Sequence, residues 1–425
     1  MPNHENNDHH HHPHEVEGPQ IYDWSHALQQ SSKHTLIGRM VIPFFSARYK
    51  TALTAACLLR ALNERVLPRE EEAIETTQLL KKYGKGSLTK PPAADHTFRL
   101  NSFFSLYHAN FHRAAPLLFY TLRKDCYGLD EEHYQKQFEK DLKPVDGLGF
   151  SGSLFYYTQD KSLIVKSVGR KFEYTFMYEK MIEGFTYYYS MMISQKQQTL
   201  LCQITDVVGC HDHRLGGWLG VSPSHYIVMT NVLEGLDKEK GCKKWDLKPQ
   251  NFFEPTRDLV PDQVKTENAK SGLADELDEE MVLTRKDKQT LMMQLERDTE
   301  FLADMKTIDY SLLLGRWPVD MFHAPRSGEG RDPMVLPEED TKDFVRGVRS
   351  ADGKWVYKMV LLDFFWNVEQ LKPKIMQTAG KLLPEQTVTT EPDRYREEFL
   401  KMMDKYILVW EDMDEDERLQ NSVSS

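Results

Sequence analysis

A run of twenty-two residues, GLGFSGSLFYYTQDKSLIVKSV from Gly147 to Val168, constrains this chain more than any other. Apolar and polar residues alternate on both sides of Gln159-Asp160, which is the signature of a β-hairpin. The first arm opens on Gly149-Phe150-Ser151-Gly152-Ser153. Glycines there let backbone N–H groups approach a phosphate with no Cβ in the way. The second arm ends on Leu163-Ile164-Val165-Lys166, where the lysine can reach back toward such phosphates. Alone, the turn fits an ordinary hairpin equally well, and it is not the G-x-x-x-x-G-K-[ST] loop that precedes a helix.

With 425 residues, 40% of them hydrophobic, the chain can bury at least one large core, and two lobes are expected. Before the hairpin, residues 1–20 carry His9 to His12 and His14 among polar residues and form a disordered, His-rich lead-in. Four adjacent histidines lack the ligand geometry of a structural metal site. Residues 21–110 form a helical N-terminal extension, typified by ALTAACLLRALNERV before Pro68. After the hairpin, HYIVMTNVL from His225 to Leu233 is strand-like and 254–278 is a polar insertion. A helix beginning near Thr284 carries LMMQLERDTEFLADMK, and WVYKMVLLDFF is a strand that follows the turn Ser350 to Gly353. Residues 411–425 are an acidic tail. FTYYYSMM, from Phe185 to Met192, packs as helix core.

The five cysteines are scattered and odd in number, which excludes a disulfide framework and points to cytosol or nucleus. Cys202, Cys210, His211 and His213 lack the paired spacing of a zinc site. No apolar run reaches the roughly 20 residues that span a bilayer, so membrane contact is expected to be peripheral. A net charge of −11 argues against nucleic acid as partner. The local exception is Lys238, Lys240, Lys243, Lys244 and Lys248, which is either a solvated face or an anion-attracting patch.

Three acids sit where strands and turns deliver carboxylates. Asp246 lies in KKWDLKPQN, Asp309 in TIDYSLLLG, and Asp363 ends the apolar run MVLLD. Each taken singly also fits a cap or turn aspartate. A glycine-rich hairpin, a strand lysine and such acids together form the kinase arrangement, in which metal-bridged phosphates and a carboxylate orient the acceptor hydroxyl. Asp246 to Asn251 mimics a protein-kinase catalytic loop, but only LLDFF, far downstream, resembles the D-F-G that should follow at a modest interval.

In their order along the chain these segments resemble the phosphatidylinositol phosphate kinase family. FHRAAPLLFYTLRKDCYGLDEEHY is similar to its opening segment, through Ala115, Pro116, Arg123, Gly128 and Tyr134. The resemblance implies that Gly149, Ser151, Gly152 and Ser153 cover the ATP phosphates and that Lys166 binds them. It implies that Ile227 to Leu233, with Met229 and Asn231, borders the adenine. LERDTEFL followed by IDYSLLLG makes Asp309 the catalytic-loop carboxylate, LLDFF makes Asp363 the magnesium ligand, and TVTTEPDRYREEFLKMM is similar to the closing segment. The family's D-L-K-G-S stands here as Asp246-Leu247-Lys248-Pro249-Gln250, keeping Asp246 and Lys248 as catalytic candidates. In the activation loop, Lys372-Pro373-Lys374 replaces a lysine pair, and Ile375 stands where subtypes carry Glu or Ala.

The resemblance thus implies an α+β, two-lobed lipid-kinase fold, with antiparallel sheets flanked by helices. The catalytic domain is expected over 111–410, divided near 235 into an N-lobe and a C-lobe. ATP and Mg2+ are the implied cofactors, and a phosphatidylinositol monophosphate headgroup at a membrane surface is the implied partner. Lys243, Lys244, Lys372 and Lys374 would attract that headgroup; a homodimer is also compatible. Phosphatidylinositol 4-phosphate, phosphorylated at its 5-hydroxyl, is the leading substrate because that activity is the family's more widespread one. The rival readings are a phosphoinositide-binding scaffold that has lost turnover and a soluble inositol-phosphate kinase.

Overall fold

The structure, a computed structural model, describes residues 55, 58, 59, 61–63, 96–99, 108–145, 153–210, 225–249, 277–324, 332–336, 342–370, 391–415 and 418. Seven strands make the larger sheet: β1 (His96–Arg99), β2 (His108–Arg113), β3 (Lys143–Val145), β4 (Phe155–Tyr157), β5 (Leu163–Ser167), β6 (Ile204–Cys210) and β7 (His225–Thr230). Their order is β1-β2-β6-β7-β5-β4-β3, antiparallel throughout. The hairpin expected around Gln159-Asp160 is β4–β5. Its alternation sends Leu163 and Val165 to one face of the sheet and Ile164 and Lys166 to the other.

The first face is closed by two helical pieces. Helix α2 (Glu131–Lys136), capped by Asp130 on the His133 N–H at 2.7 Å, contributes Tyr134, with Phe138 just beyond it. The other piece comes from within 21–110, where Ala55, Leu58, Ala61 and Leu62 bury themselves against Tyr156, Leu163, Val165, Val208, Tyr226 and Val228. That stretch, expected to be helical, also supplies β1 and the start of β2. The opposite face packs on α1 (Pro116–Thr121), α3 (Lys171–Phe176) and α4 (Ile182–Gln195), the last two joined through a π-turn at Met177–Met181. Phe185, Tyr188, Tyr189 and Met192 are buried on α4, as core packing requires.

The second lobe is built on a four-stranded antiparallel sheet, β12-β13-β11-β8, from β8 (Lys243–Leu247), β11 (Ser311–Pro318), β12 (Val348–Arg349) and β13 (Trp355–Leu362). Short pairs β9 (Met281–Leu283) with β15 (Ile407–Val409) and β10 (Thr307–Ile308) with β14 (Trp366–Asn367) complete it. Leu247, Leu312, Leu314, Met359 and Leu361 share one core with Leu291, Leu295 and Leu302 of α5 (Arg285–Asp304) and Tyr395, Phe399 and Met403 of α6 (Pro392–Lys405). Thr284 caps α5 by accepting from the Asp287 N–H at 3.1 Å, which is why that helix starts where its polar residue precedes the apolar repeat. The protein is therefore α+β, with helices and antiparallel sheets in two lobes that share a continuous apolar core.

The joint between the lobes is a backbone exchange secured by one buried acid. The Leu361 N–H donates to the Leu200 carbonyl at 2.6 Å, and the Cys202 N–H donates to the Leu361 carbonyl at 2.9 Å. Asp298 on α5 accepts from the Leu200 N–H at 2.5 Å, the Thr199 hydroxyl at 3.0 Å and the Tyr188 hydroxyl. Burial raises the Asp298 carboxyl to about 6, even though those donors and nearby Arg297 pull the other way.

Two outcomes follow for stability. Leu58→Ala should cost about 2–4 kcal/mol in urea melts, since the leucine is fully buried under the large sheet; a near-neutral result would mean that segment is not part of the fold. Asp298 has a folded pKa above its ordinary value, so its contribution is complete below that ordinary value and is lost as pH rises through about 6. The stability of wild type relative to the non-titrating Asp298→Asn should therefore fall by about 1–3 kcal/mol between acid and neutral pH. Parallel pH profiles for the two proteins would refute this.

Candidate active site

Lys166 is delivered by β5, where the register sets it between Phe155 and Ile227 on the face turned toward the second lobe. Asp363 follows directly on β13, in the left-handed region at φ 59°, and Asp309 lies in the link from β10 to β11 at φ 65°. Aspartate is among the few side chains that accept this backbone without prohibitive strain. Both turns are tied from below. The Tyr395 hydroxyl donates to the Tyr310 carbonyl at 2.5 Å, and Phe364 and Phe365 are buried immediately after Asp363.

These positions bring opposite charges together. The Lys166 ammonium donates to Asp363, and the Lys248 ammonium donates to Asp309 at 3.2 Å. Burial alone would lower Lys166, but the Asp363 carboxylate and then Glu173 more than offset it and leave the ammonium raised. Burial would likewise raise Asp363, but Lys166, Lys248 and Arg170 hold it below the usual carboxylate range. Glu173 shows the reverse balance: burial dominates and raises it, despite Arg170 and Lys166. Lysines poised beside ionised carboxylates are the equipment for binding phosphates and orienting a hydroxyl.

Above and below this charge cluster the surfaces are apolar. Phe155, Tyr157 and Ile164 lie on one face of β4 and β5, with Met229 of β7 paired to Ile164. Leu233, Leu313 and Leu362 are half-buried at the edge of the main core. Gly315 makes room first for the Trp317 ring, which a Cβ there would overlap, and then for the Leu233 side chain, from which it would stand 2.9 Å.

Other expected residues have different surroundings. Asp246 is exposed on β8 on the same face as Lys244, alternating with the buried Trp245 and Leu247. Asn231 commits its amide to bracing the chain, donating to the Lys161 carbonyl at 2.9 Å and accepting from the Leu233 N–H at 3.1 Å. Lys243 is paired with Asp278 at 3.1 Å and Glu279 at 2.9 Å, so it is neutralised locally. Ser153 is half-buried two residues before β4. Gly149, Ser151, Gly152, Lys372 and Lys374 lie outside the described residues, as do Pro373, Ile375, His211 and His213. Among the described residues no three His, Cys, Asp or Glu side chains form a metal cluster, and no helix is long and apolar enough to cross a membrane.

Sequence reasoning missed Glu173 and Arg170. The available signal was an acid one turn into the helix that follows Lys166, three residues after the residue whose N–H it accepts, Arg170, at 3.3 Å.

The profile of the Phosphatidylinositol-4-phosphate 5-Kinase family matches residues 136–406 of this chain. The chain belongs to that family. Among curated relatives, it is 27% identical over 279 residues to phosphatidylinositol 4-phosphate 5-kinase 1 of Arabidopsis thaliana, covering 64% of this chain and 33% of that protein. It is 27% identical over 225 residues to human phosphatidylinositol 4-phosphate 5-kinase type-1 beta, covering 53% of this chain and 38% of the human protein. It is also 27% identical over 227 residues to phosphatidylinositol 5-phosphate 4-kinase type-2 gamma of Danio rerio, covering 53% of this chain and 50% of the fish protein. The matched region thus spans half or less of each relative's length. As a member of this phosphatidylinositol-4-phosphate 5-kinase family, the chain carries Lys166, Asp309 and Asp363 all within the matched segment.

Cys202 sits close enough to Asp363 and Lys166 to feel both, yet burial and then Asp363 push its thiol up to about 12; burial and Asp125 do the same for Cys126. In the native protein at pH 8, both should react with iodoacetamide about a thousandfold more slowly than an ordinary thiol. Mass spectrometry of timed samples checks this, and rapid labelling of native Cys202 would contradict its place beside the site.

Proposed function

We propose that this chain transfers the γ-phosphate of ATP to a phosphatidylinositol monophosphate, with phosphatidylinositol 4-phosphate accepting at its 5-hydroxyl. The observation that carries the proposal is the Lys166–Asp363 pair between the lobes with Lys248–Asp309 as a second such pair. In this reading Lys166 binds the nucleotide phosphates, and Phe155, Tyr157, Ile164, Met229, Leu233, Leu313 and Leu362 enclose the base. Asp309 orients the acceptor hydroxyl and takes its proton, and Lys248, which donates to it, holds Asp309 in place.

Asp363 fits a magnesium ligand. Magnesium takes one or two protein carboxylates and completes its shell with water and substrate phosphates, so an ionised carboxylate beside a phosphate-binding lysine suits it and a three-acid cluster is not required. When bound, the ion neutralises the charge that develops on the phosphoryl oxygens. Family membership supports the reaction class, and the preference for the 4-phosphate rests only on that activity being the family's more widespread one. Relatives named for 4-phosphate 5-kinases and for 5-phosphate 4-kinases match at the same 27% identity. Lys244 and Lys248 remain the described lysines of the β8 group that face the headgroup's side of the sheet in this proposal.

The test is transfer of labelled phosphate from Mg-ATP to vesicles holding each phosphatidylinositol monophosphate in turn, with soluble headgroups as a parallel arm. Wild type should label the 4-phosphate lipid, and Asp363→Asn should lower the rate roughly a hundredfold or more. Folded protein that binds vesicles and labels no lipid would overturn the kinase reading in favour of a non-catalytic phosphoinositide binder. Labelling of soluble headgroups alone would make it an inositol-phosphate kinase.

A further inference from the structure

Arg170 stands four residues beyond Lys166, at the point where the chain leaves β5 and enters α3. Its backbone N–H is taken by Glu173, so the side chain is not needed to begin the helix. The guanidinium lies over the Trp366 ring at 4.9 Å, and Trp366 follows Asp363 by three residues. Phe172 packs on the same indole at 4.7 Å, which fixes the ring as a platform. On its other side Arg170 makes an ion pair with Glu173 at 3.6 Å, longer than a hydrogen bond, and no other polar partner for its five donors is found among the described residues. The side chain is 27% exposed, so the group is oriented by its neighbours and still open on one edge.

A planar fork of donors, placed over an indole four residues beyond a lysine suited to phosphates, is matched to a phosphate dianion, which two parallel N–H groups can grip. We propose that Arg170 is a phosphate-binding residue of this site, taking a terminal phosphate that lies on the Trp366 side of Asp363. This rests on the phosphotransfer reading above. Two sources carry that chemistry, the γ-phosphate of the nucleotide and the monoester phosphate of the acceptor headgroup. Arg170 also lies close enough to Asp363 to help hold its carboxyl down, which agrees with a position on this side of the pair.

The experiment is calorimetric binding to the full chain in the presence of magnesium and without turnover. The ligands are ATP, ADP, inositol 1,4-bisphosphate and inositol 1-phosphate; the proteins are wild type, Arg170→Ala and Arg170→Lys. If the nucleotide is the source, Arg170→Ala should weaken ATP by roughly 10- to 100-fold while ADP changes little. If the headgroup is the source, the bisphosphate should weaken by that factor and the monophosphate hardly at all. Arg170→Lys should recover only part of the loss, because an ammonium lacks the fork. Affinities for all four ligands within twofold of wild type would overturn the proposal. Equal weakening of ATP and ADP with headgroups unaffected would also overturn it, since that marks a general disturbance of α3. Failure of the wild type to phosphorylate any lipid, with ATP still discriminated from ADP through Arg170, would sink the kinase reading and leave this one standing. Normal lipid turnover with an unaffected Arg170→Ala would do the opposite.

Discussion

A lysine from one sheet and an aspartate from the end of another meet across 197 positions of sequence, and the candidate site is organised around that pair. Partly buried charges are tolerated only when each is matched and hydrogen-bonded, because desolvation otherwise exceeds the attraction. The fold therefore has to deliver both groups accurately. β5 does this for Lys166 through the simple alternation of a strand with an outer core to fill. Asp363 needs more, since it stands at φ 59°, a conformation that costs an L-residue about 1–2 kcal/mol. The buried rings of Phe364 and Phe365 just after it, and β14 beyond them, supply the packing that offsets such strain. Asp309, at φ 65°, is held in a similar way by Tyr310 packed between Tyr395 and Phe399.

The parts of this arrangement visible in the sequence are those in which one short segment carries its own periodicity. The β4–β5 hairpin was legible because Tyr156, Leu163 and Val165 must share a face, and α5 because Thr284 precedes a clean helical repeat. Asp363 was legible as an acid ending an apolar run and Asp309 as an acid just ahead of one, though their left-handed backbones were not. The features that could not be read depend on contacts that no single run of sequence displays. The lysines from Lys238 to Lys248 looked like one patch, yet Lys240 pairs with Asp237, Lys243 with Asp278 and Glu279, and Lys248 with Asp309. The side-chain amide of Asn231, expected beside the base, bonds to the Lys161 carbonyl and the Leu233 N–H. Nor does any local pattern announce that Trp366 will come to lie beneath Arg170.

In the proposed reaction, the same pairing would let a chain with a net charge of −11 accept anionic substrates. Around the site, three cations (Lys166, Lys248, Arg170) face three acids (Asp363, Asp309, Glu173), so charge is balanced where desolvation is costly. Away from it, lysines such as Lys180 and Lys243 are neutralised by Glu369, Asp278 and Glu279. Attraction for a phosphate is thereby concentrated at a few positions rather than spread over a basic surface, which is how a field becomes selective at short range.

Balanced charge does not mean equal sharing, and the inequality divides the labour within the site. Asp363 has Lys166 directly on it with Lys248 and Arg170 nearby, so its carboxyl is held below the usual range. Glu173, touched by Arg170 only at ion-pair distance, stays above it because burial outweighs its cations. Two carboxylates pushed in opposite directions within one cluster are suited to different tasks. In the proposed reaction the firmly ionised Asp363 is the one fit to hold a cation against phosphate oxygens. Glu173, which gives up its charge more readily, is better suited to aligning the guanidinium and ammonium beside it. The ligand-facing carboxylate and the bracing carboxylate are thus distinguished by how the cations are shared between them, in a site where each acid alone resembles an ordinary turn or helix residue.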